Sequence, residues 1–166
     1  MTNIKSQRLL MRTGQLSDSA FILALLNQPS FYKNIADKGI YTPEQAQDYI
    51  QNAFINSHKI NGFGPYVVTL KDSTPVGMVG LFKRDYLHFP DIGYAFLANH
   101  TGKGYATEAC EQLIQNVHNR FERIAAIASK NNIASQKILK KLNFSRMTDI
   151  IASPDKQPIC LYIKAL

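Results

Sequence analysis

Residues 100–109, HTGKGYATEA, set two glycines around a lysine and then run into a segment of helical apolar period. A helix that begins there offers unpaired N–H groups and a partial positive charge, which suits an anion. Glycine has no Cβ to hold a phosphate away from the backbone and tolerates positive φ; Lys103 adds a mobile cation. The spacing excludes two common phosphate loops. A Walker loop, G-x-x-x-x-G-K-[ST], needs its lysine after the second glycine, whereas Lys103 precedes Gly104. The dinucleotide fingerprint G-x-G-x-x-G/A needs a small residue where Thr107 stands. From the residues alone, the stretch is an anion site of another spacing or a plain turn. Cys110 and Cys160 each lie in an apolar pattern, so both read as buried thiols of a reducing compartment and not as nucleophiles.

The elements that must position this turn follow from pattern and punctuation. Residues 8–13 (RLLMRT) read as a strand. Ser17 can cap a helix to about Asn27, with Phe21, Leu25 and Leu26 on its apolar face and Pro29 ending it. Thr42, Pro43 and Gln45 supply a capping hydroxyl, a first-turn proline and a returning amide, so a second helix runs to about Asn56. Residues 62–65 (GFGP) break the chain before a strand at 66–70; a turn, KDSTP, leads to another at 76–82. Residues 91–97 (DIGYAFL) form the next strand, with Gly93 suggesting a bulge. Tyr105, Ala109, Leu113 and Val117, flanked by Ala106, Cys110 and Ile114, make one helical stripe. Residues 124–129 (IAAIAS) are apolar on both faces, as a buried central strand requires. A helix over 132–142 has Ala134, Ile138 and Leu142 as its core stripe, with Asn132, Ser135 and Leu139 on a face beside it. Strands at 144–151 and 159–164 close a single domain over residues 1–166, an α/β (α+β) chain with a mixed sheet and helices on both faces.

Composition narrows the function. The chain has 166 residues, 45% apolar and 19% charged, enough for one packed core. The net charge of +7 favours anionic partners, but the basic residues form no stripe interleaved with aromatics, so direct nucleic-acid binding is not expected. No apolar run reaches the roughly 20 residues that span a bilayer, and residues 1–13 lack an export-signal pattern, so we expect a cytoplasmic protein without membrane attachment.

Three stretches in order resemble the GNAT superfamily of N-acetyltransferases along nearly the whole chain. Residues 99–104 (NHTGKG) resemble its pyrophosphate loop, Q/R-x-x-G-x-G/A. PDIGYAFL followed by GKGYATEA resembles the branch that acetylates ribosomal-protein N-termini and related amines, and SQRLLMR resembles that branch's T-x-R-L-x-L-R opening. Asn132 and Ser135, with residues 138–144 (ILKKLNF), are similar to its N-x-x-S-x-x-(I/V)-(L/M)-x-K-L-G-F. Asn99 departs from Gln or Arg and inherits no role. Asn143 replaces a glycine, but it is the next-best residue for a left-handed helix end.

The resemblance implies a mixed, mostly antiparallel sheet of about 6–7 strands with a splayed middle pair, and acetyl-CoA as co-substrate without a metal. Backbone around Phe96, Leu97 and Ala98 would hold the pantetheine arm. Gly102, Lys103, Gly104, Tyr105 and Ala106 would hold the pyrophosphate, with Asn132 and Ser135 meeting the cofactor from the last helix. Many members protonate the leaving thiolate from a tyrosine where Leu139 stands here, which leaves Ser135 as the hydroxyl donor to the sulfur. Asp91, where the branch often has an acid, is the candidate base, with His88, Asp85 or a water relay as alternates. An α-amino group titrates at about 7.7–8.0 and needs little help, whereas lysine at about 10.4 needs a base. The expectation is direct attack by a primary amine, either a protein N-terminus or a small molecule such as a polyamine, amino acid or aminoglycoside. The alternative is a non-catalytic acyl-CoA-binding module. Either form is expected as a monomer or homodimer. Phe31, Tyr32, Phe63, Tyr66, Tyr86 and His88 are candidates to shape the acceptor pocket.

Overall fold

The computed structural model describes residues 3–154 and 156–166. In chain order it contains β1 (Ile4–Lys5), β2 (Leu9–Arg12), α1 (Ser19–Leu26), α2 (Pro29–Asn34), α3 (Pro43–Tyr49), α4 (Ser57–Asn61), β3 (Pro65–Leu70) and β4 (Pro75–Phe82). There follow β5 (Asp91–Phe96), α5 (Tyr105–Val117), β6 (Arg123–Ser129), α6 (Ile133–Lys141), β7 (Ser145–Ile150) and β8 (Ile159–Ala165). All strands join one sheet in the order β1-β2-β3-β4-β5-β6-β8-β7. The pairs are antiparallel except β5–β6, which is parallel. The sheet therefore has eight strands rather than six or seven, because the two-residue β1 pairs with β2 and is too short to show a period.

Two apolar layers hold the sheet. On one face α5 buries Ala109, Cys110, Leu113 and Val117 against Val79, Leu81, Ile92 and Ile124. On the other, Ile22, Leu25, Leu26, Phe31, Ile50 and Phe54 pack on Val67, Met78 and Ala95. β6 is covered on both sides, with Ile124, Ala125 and Ala126 at most 1% exposed, as its continuous apolar run requires.

The local punctuation is realised in part. Thr42 accepts from the Gln45 N–H while Gln45 returns to the Thr42 backbone. The helix they start continues past Asn56 through a π-helical stretch, Ile50–Asn56, into α4. It stops only where Gly62 takes φ +73. Elsewhere the first helix starts at Ser19 after a 3₁₀ turn, Leu16–Asp18, and Asp18, not Ser17, receives the Gln15 N–H. Pro29 opens α2 as its first residue instead of merely ending α1. Gly93 sits in register opposite Gly80, without a bulge; a Cβ there would meet the Phe82 ring at 2.9 Å, so the glycine makes room. In α6 the buried face is Leu139 and Leu142 with Ser135 and Ile138 half-buried, and Ala134 is exposed. The stripe thus lies one residue round from the expected one, where leucine has more surface to bury than alanine.

Candidate active site

β5 and β6 meet at one point. Asp91 pairs with Ala125, the Ala125 N–H donates to the Pro90 carbonyl at 2.9 Å, and beyond that the strands share no ladder. A pair of buried strands that part leaves backbone groups facing each other across a slot. The Leu97 N–H donates to the Val76 carbonyl on β4, so by alternation Tyr94 and Phe96 turn their backbone groups toward the slot. Of the residues expected to hold an extended arm, Phe96 faces the opening and Leu97 spends its N–H within the sheet. The Gln28 side chain already binds the end of β5: its amide donates to the Phe96 carbonyl at 2.8 Å and accepts the Ala98 N–H at 3.0 Å. That contact spans about seventy residues, and nothing local announces it.

At the wide end of the slot lies the glycine turn. Gly102 and Gly104 have φ +74 and +80, and a Cβ on Gly102 would meet open space. Gly104 is the N-cap of α5, whose first turn carries no side-chain cap among the described residues. The turn combines the left-handed backbone that favours glycine with a free helix mouth, and a Cβ at Gly104 carries a folding cost as well as a steric one. It is braced from outside. Glu108 accepts from the Arg8 N–H at 2.7 Å, from Arg8 Nε at 2.6 Å and from the Ser6 hydroxyl at 2.7 Å. Arg8 also donates to the Lys103 carbonyl at 3.0 Å and lies 4.7 Å over the Tyr105 ring. The opening motif and the glycine motif, a hundred residues apart, are one structure. Glu108 is thus more than a helix-cap or surface acid, and its carboxyl is held below its usual range by these donors against the cost of burial.

The last helix supplies the third wall. Asn132 caps α6, accepting the Ser135 N–H at 3.1 Å. The Ser135 hydroxyl meets the Tyr94 hydroxyl at 2.8 Å, linking α6 to β5. Burial pushes the Tyr94 pKa up, so this hydroxyl stays protonated. Leu139, which stands where a tyrosine was expected, is 1% exposed and belongs to the core. A tyrosine hydroxyl therefore does reach Ser135, but from the splayed strand rather than from the helix. The GY pair in DIGYAFL was the signal available for it.

Asp91 marks the closed end. It is 1% exposed, and its Oδ1 accepts from Arg84 Nε at 2.8 Å. Its Oδ2 is buried without a hydrogen-bond partner among the described residues. Burial raises its pKa and Arg84 opposes the rise. Along β5, Asp91 shares its side with Ala95, which packs against α1 and α2, whereas Ile92, Tyr94 and Phe96 lie on the α5 side. Asp91 and Tyr94 are three residues apart, about 10 Å, and on opposite faces. Of the aromatic candidates for an acceptor pocket, Phe31 is buried in the core, Phe63 stacks on Phe121 and Tyr66 on His58, so these three serve packing. Tyr32 and Tyr86 are exposed, and His88 stacks on Phe89. Burial lifts the Cys110 thiol well above its usual range, which suits a core thiol and not a nucleophile.

Among the described residues there is no cluster of three or more potential metal ligands and no helix long and apolar enough to cross a membrane.

Relatives share this plan. The chain is 28% identical over 151 residues to the "Uncharacterized N-acetyltransferase YnaD" of Bacillus subtilis, covering 87% of this chain and 83% of that protein. A putative GNAT-family acetyltransferase from Bordetella pertussis superposes with a TM-score of 0.84 at 19% identity, over 99% of this chain and all of that one. RimL, a ribosomal L7/L12 alpha-N-protein acetyltransferase in complex with coenzyme A, does so at 0.85 and 16% identity, over 99% and 98%. The family model of the acetyltransferase (GNAT) domain matches residues 8–145, so this chain belongs to the GNAT acetyltransferases.

Proposed function

We propose that the chain transfers the acetyl group of acetyl-CoA to a primary amine by direct attack within a ternary complex. The observation that carries this reading is the single-point β5–β6 pairing: the slot beyond it is bounded by the uncapped mouth of α5 and by Ser135 of α6. The backbone N–H groups of residues 104–106 and the Lys103 ammonium would hold the pyrophosphate, the Tyr94 backbone and the Phe96 N–H the arm, and Asn132 and Ser135 the thioester end. Acetyl-CoA bound there supplies an activated thioester.

The residues then divide the work by face. Asp91, too far along the strand to touch the thioester, takes the ammonium proton of the acceptor through water; its raised pKa makes it a better base than an exposed aspartate. The freed amine forms the C–N bond as the C–S bond breaks. Ser135 donates a hydrogen bond to the departing thiolate while its oxygen accepts from Tyr94. Of the two protons the ammonium nitrogen loses, one leaves by way of Asp91 and solvent, and the other, shed as the amide forms, reaches the sulfur through water and gives the thiol. No enzyme nucleophile is required. This hydroxyl pair supplies from β5 the group that Leu139 lacks, which weighs against a non-catalytic acyl-CoA-binding module.

Acetyl-CoA should raise the melting temperature, since a ligand at a hundred times its Kd stabilises the folded state by about 2.7 kcal/mol. NAD and ATP should do far less. The absence of any shift at millimolar acetyl-CoA would remove the proposal. Thiol release with amines would then separate an enzyme from a binding module.

A further inference from the structure

The backbone between Tyr94 and Ala106 passes from bare groups to bonded ones and back to bare. Along the open side of β5 the Tyr94 N–H and carbonyl and the Phe96 N–H face the slot beyond the single β5–β6 pairing. The groups that follow on that side are taken. The Gln28 side chain holds the Phe96 carbonyl at 2.8 Å and the Ala98 N–H at 3.0 Å. The Ala98 carbonyl accepts from the Thr101 hydroxyl at 2.8 Å and from the Thr101 N–H at 3.3 Å. Uncapped donors return at the mouth of α5.

Gln28 is set for this contact before any ligand arrives. Its carbonyl starts α2, accepting the Phe31 N–H at 3.0 Å and the Tyr32 N–H at 3.3 Å. Its neighbour Asn27 donates through its amide to the Leu23 carbonyl of α1 and to the Ile40 carbonyl, both at 2.8 Å. The half-buried Gln28 side chain thus leaves a fixed backbone and meets β5 where that strand has no ladder to β6. It accepts from one N–H and donates to the carbonyl two residues earlier, as the backbone of a parallel neighbour does. The carboxamide stands in for the missing strand.

This pattern suits the chemistry of a pantetheine arm. The arm's amides lie in its thioester half, while the half next to the pyrophosphate carries methyl groups and a hydroxyl. Amides find partners on bare backbone, whereas methyl groups laid over an unbonded carbonyl or N–H would cut it off from water. We propose that Gln28 is the positioning residue of the cofactor arm. By satisfying the end of β5 it makes a stretch that methyl groups can cover, which fixes where the amides pair and where the thioester stops. This inference rests on the acetyltransferase reading and deepens its cofactor site.

The test separates the arm from the nucleotide. Coenzyme A is titrated calorimetrically against wild type, Gln28→Ala and Gln28→Met, and adenosine 3′,5′-bisphosphate, which has no arm, is measured by competition with it. Methionine keeps the length of the side chain and removes both hydrogen bonds, so it decides the matter should the alanine variant fail to fold. Coenzyme A should bind the variants at least about tenfold more weakly, with the bisphosphate within about twofold of wild type. KM for acetyl-CoA should rise in step with the coenzyme A loss. A mere tie between α2 and β5 gives another result: a lower apo melting temperature, with the two affinities unchanged or reduced together. Either of those affinity patterns, or tighter coenzyme A binding, overturns the inference and leaves the cofactor reading standing. If wild type binds no coenzyme A, the acetyltransferase reading falls first.

Discussion

The two ends of β5 are built by opposite rules. At the wide end the supporting side chains are spoken for, while the α5 N–H groups carry no side-chain cap among the described residues. Glu108 takes three donors, Arg8 spans a hydrogen bond, an ion pair and an aromatic face, and Gln28 binds the Phe96 carbonyl and the Ala98 N–H. At the closed end one oxygen of Asp91 accepts from Arg84 and the other is buried without a hydrogen-bond partner among the described residues. A site for an invariant ligand can be made rigid before the ligand arrives, whereas a site that discriminates between amines must leave its recognition groups unsatisfied until one binds. Breaking one end should leave the other working.

The largest effect is expected at Asp91. Asp91→Asn keeps the shape and the Arg84 neighbour but cannot accept a proton, so kcat should fall by roughly 10²–10⁴. The acetyl-CoA melting shift should be unchanged. Because burial raises the Asp91 pKa, the wild-type rate should climb with pH across a limb lying above the ordinary aspartate range, with the ionised form active. That limb should vanish in the variant. If acetyl-CoA binding fell together with turnover, the two ends would not be independent.

Glu108→Ala attacks the other end. It strands the Arg8 N–H and guanidinium and the Ser6 hydroxyl. Charge-assisted bonds are worth about 1.5–3 kcal/mol, but Arg8 is 45% exposed, so the low end applies. We expect about 2 kcal/mol of stability lost, seen as a melting temperature about 4–8 °C lower, and weaker acetyl-CoA binding as the loop loosens. Turnover at saturating acetyl-CoA should not move.

These two ends also differ in how far the sequence discloses them. Helix α5, the Thr42 capping box, the Asn132 cap and the left-handed Asn143, at φ +60, are local events in which a residue and its partners lie within one or two turns. The glycine turn belongs with them. Ser135 was read from its helix face, but its Tyr94 partner lies 41 residues away on another strand and no periodicity joins them. Glu108 carries no local signal of its role, because its partner Arg8 is a hundred positions distant. Asp91 reads as a strand start, yet its burial and its half-satisfied carboxylate are facts of tertiary packing that no local pattern announces. β1 escaped because two residues carry no period.

Tyr94→Phe tests whether the hydroxyl pair acts as a unit. Removing one hydroxyl should lower kcat about tenfold, the equivalent of about 1.4 kcal/mol, with little change in KM for acetyl-CoA. If Tyr94 works by orienting Ser135, the double variant with Ser135→Ala should be no slower than Ser135→Ala alone. Additive losses would instead give each hydroxyl its own contact with the leaving sulfur.

Lys103→Ala carries the smallest expected effect and asks how the wide end holds its anion. The side chain is exposed, and the Lys103 backbone is held through its carbonyl by Arg8, so the substitution removes charge without disturbing the brace. A cation near a helix end contributes about 0.5–1 kcal/mol at low salt, so acetyl-CoA affinity should drop about two- to fivefold. Its salt dependence should flatten, because a screened point charge has gone while oriented backbone donors remain. The apo melting temperature should stay within about 1 °C of wild type, unlike Glu108→Ala. Isothermal titration at two salt concentrations on both variants gives the contrast. If Lys103→Ala cost more affinity than Glu108→Ala, the turn would bind by mobile charge and the brace would serve folding alone. A smaller, salt-sensitive loss beside a larger, salt-insensitive one places the binding energy in backbone N–H groups that two glycines leave bare.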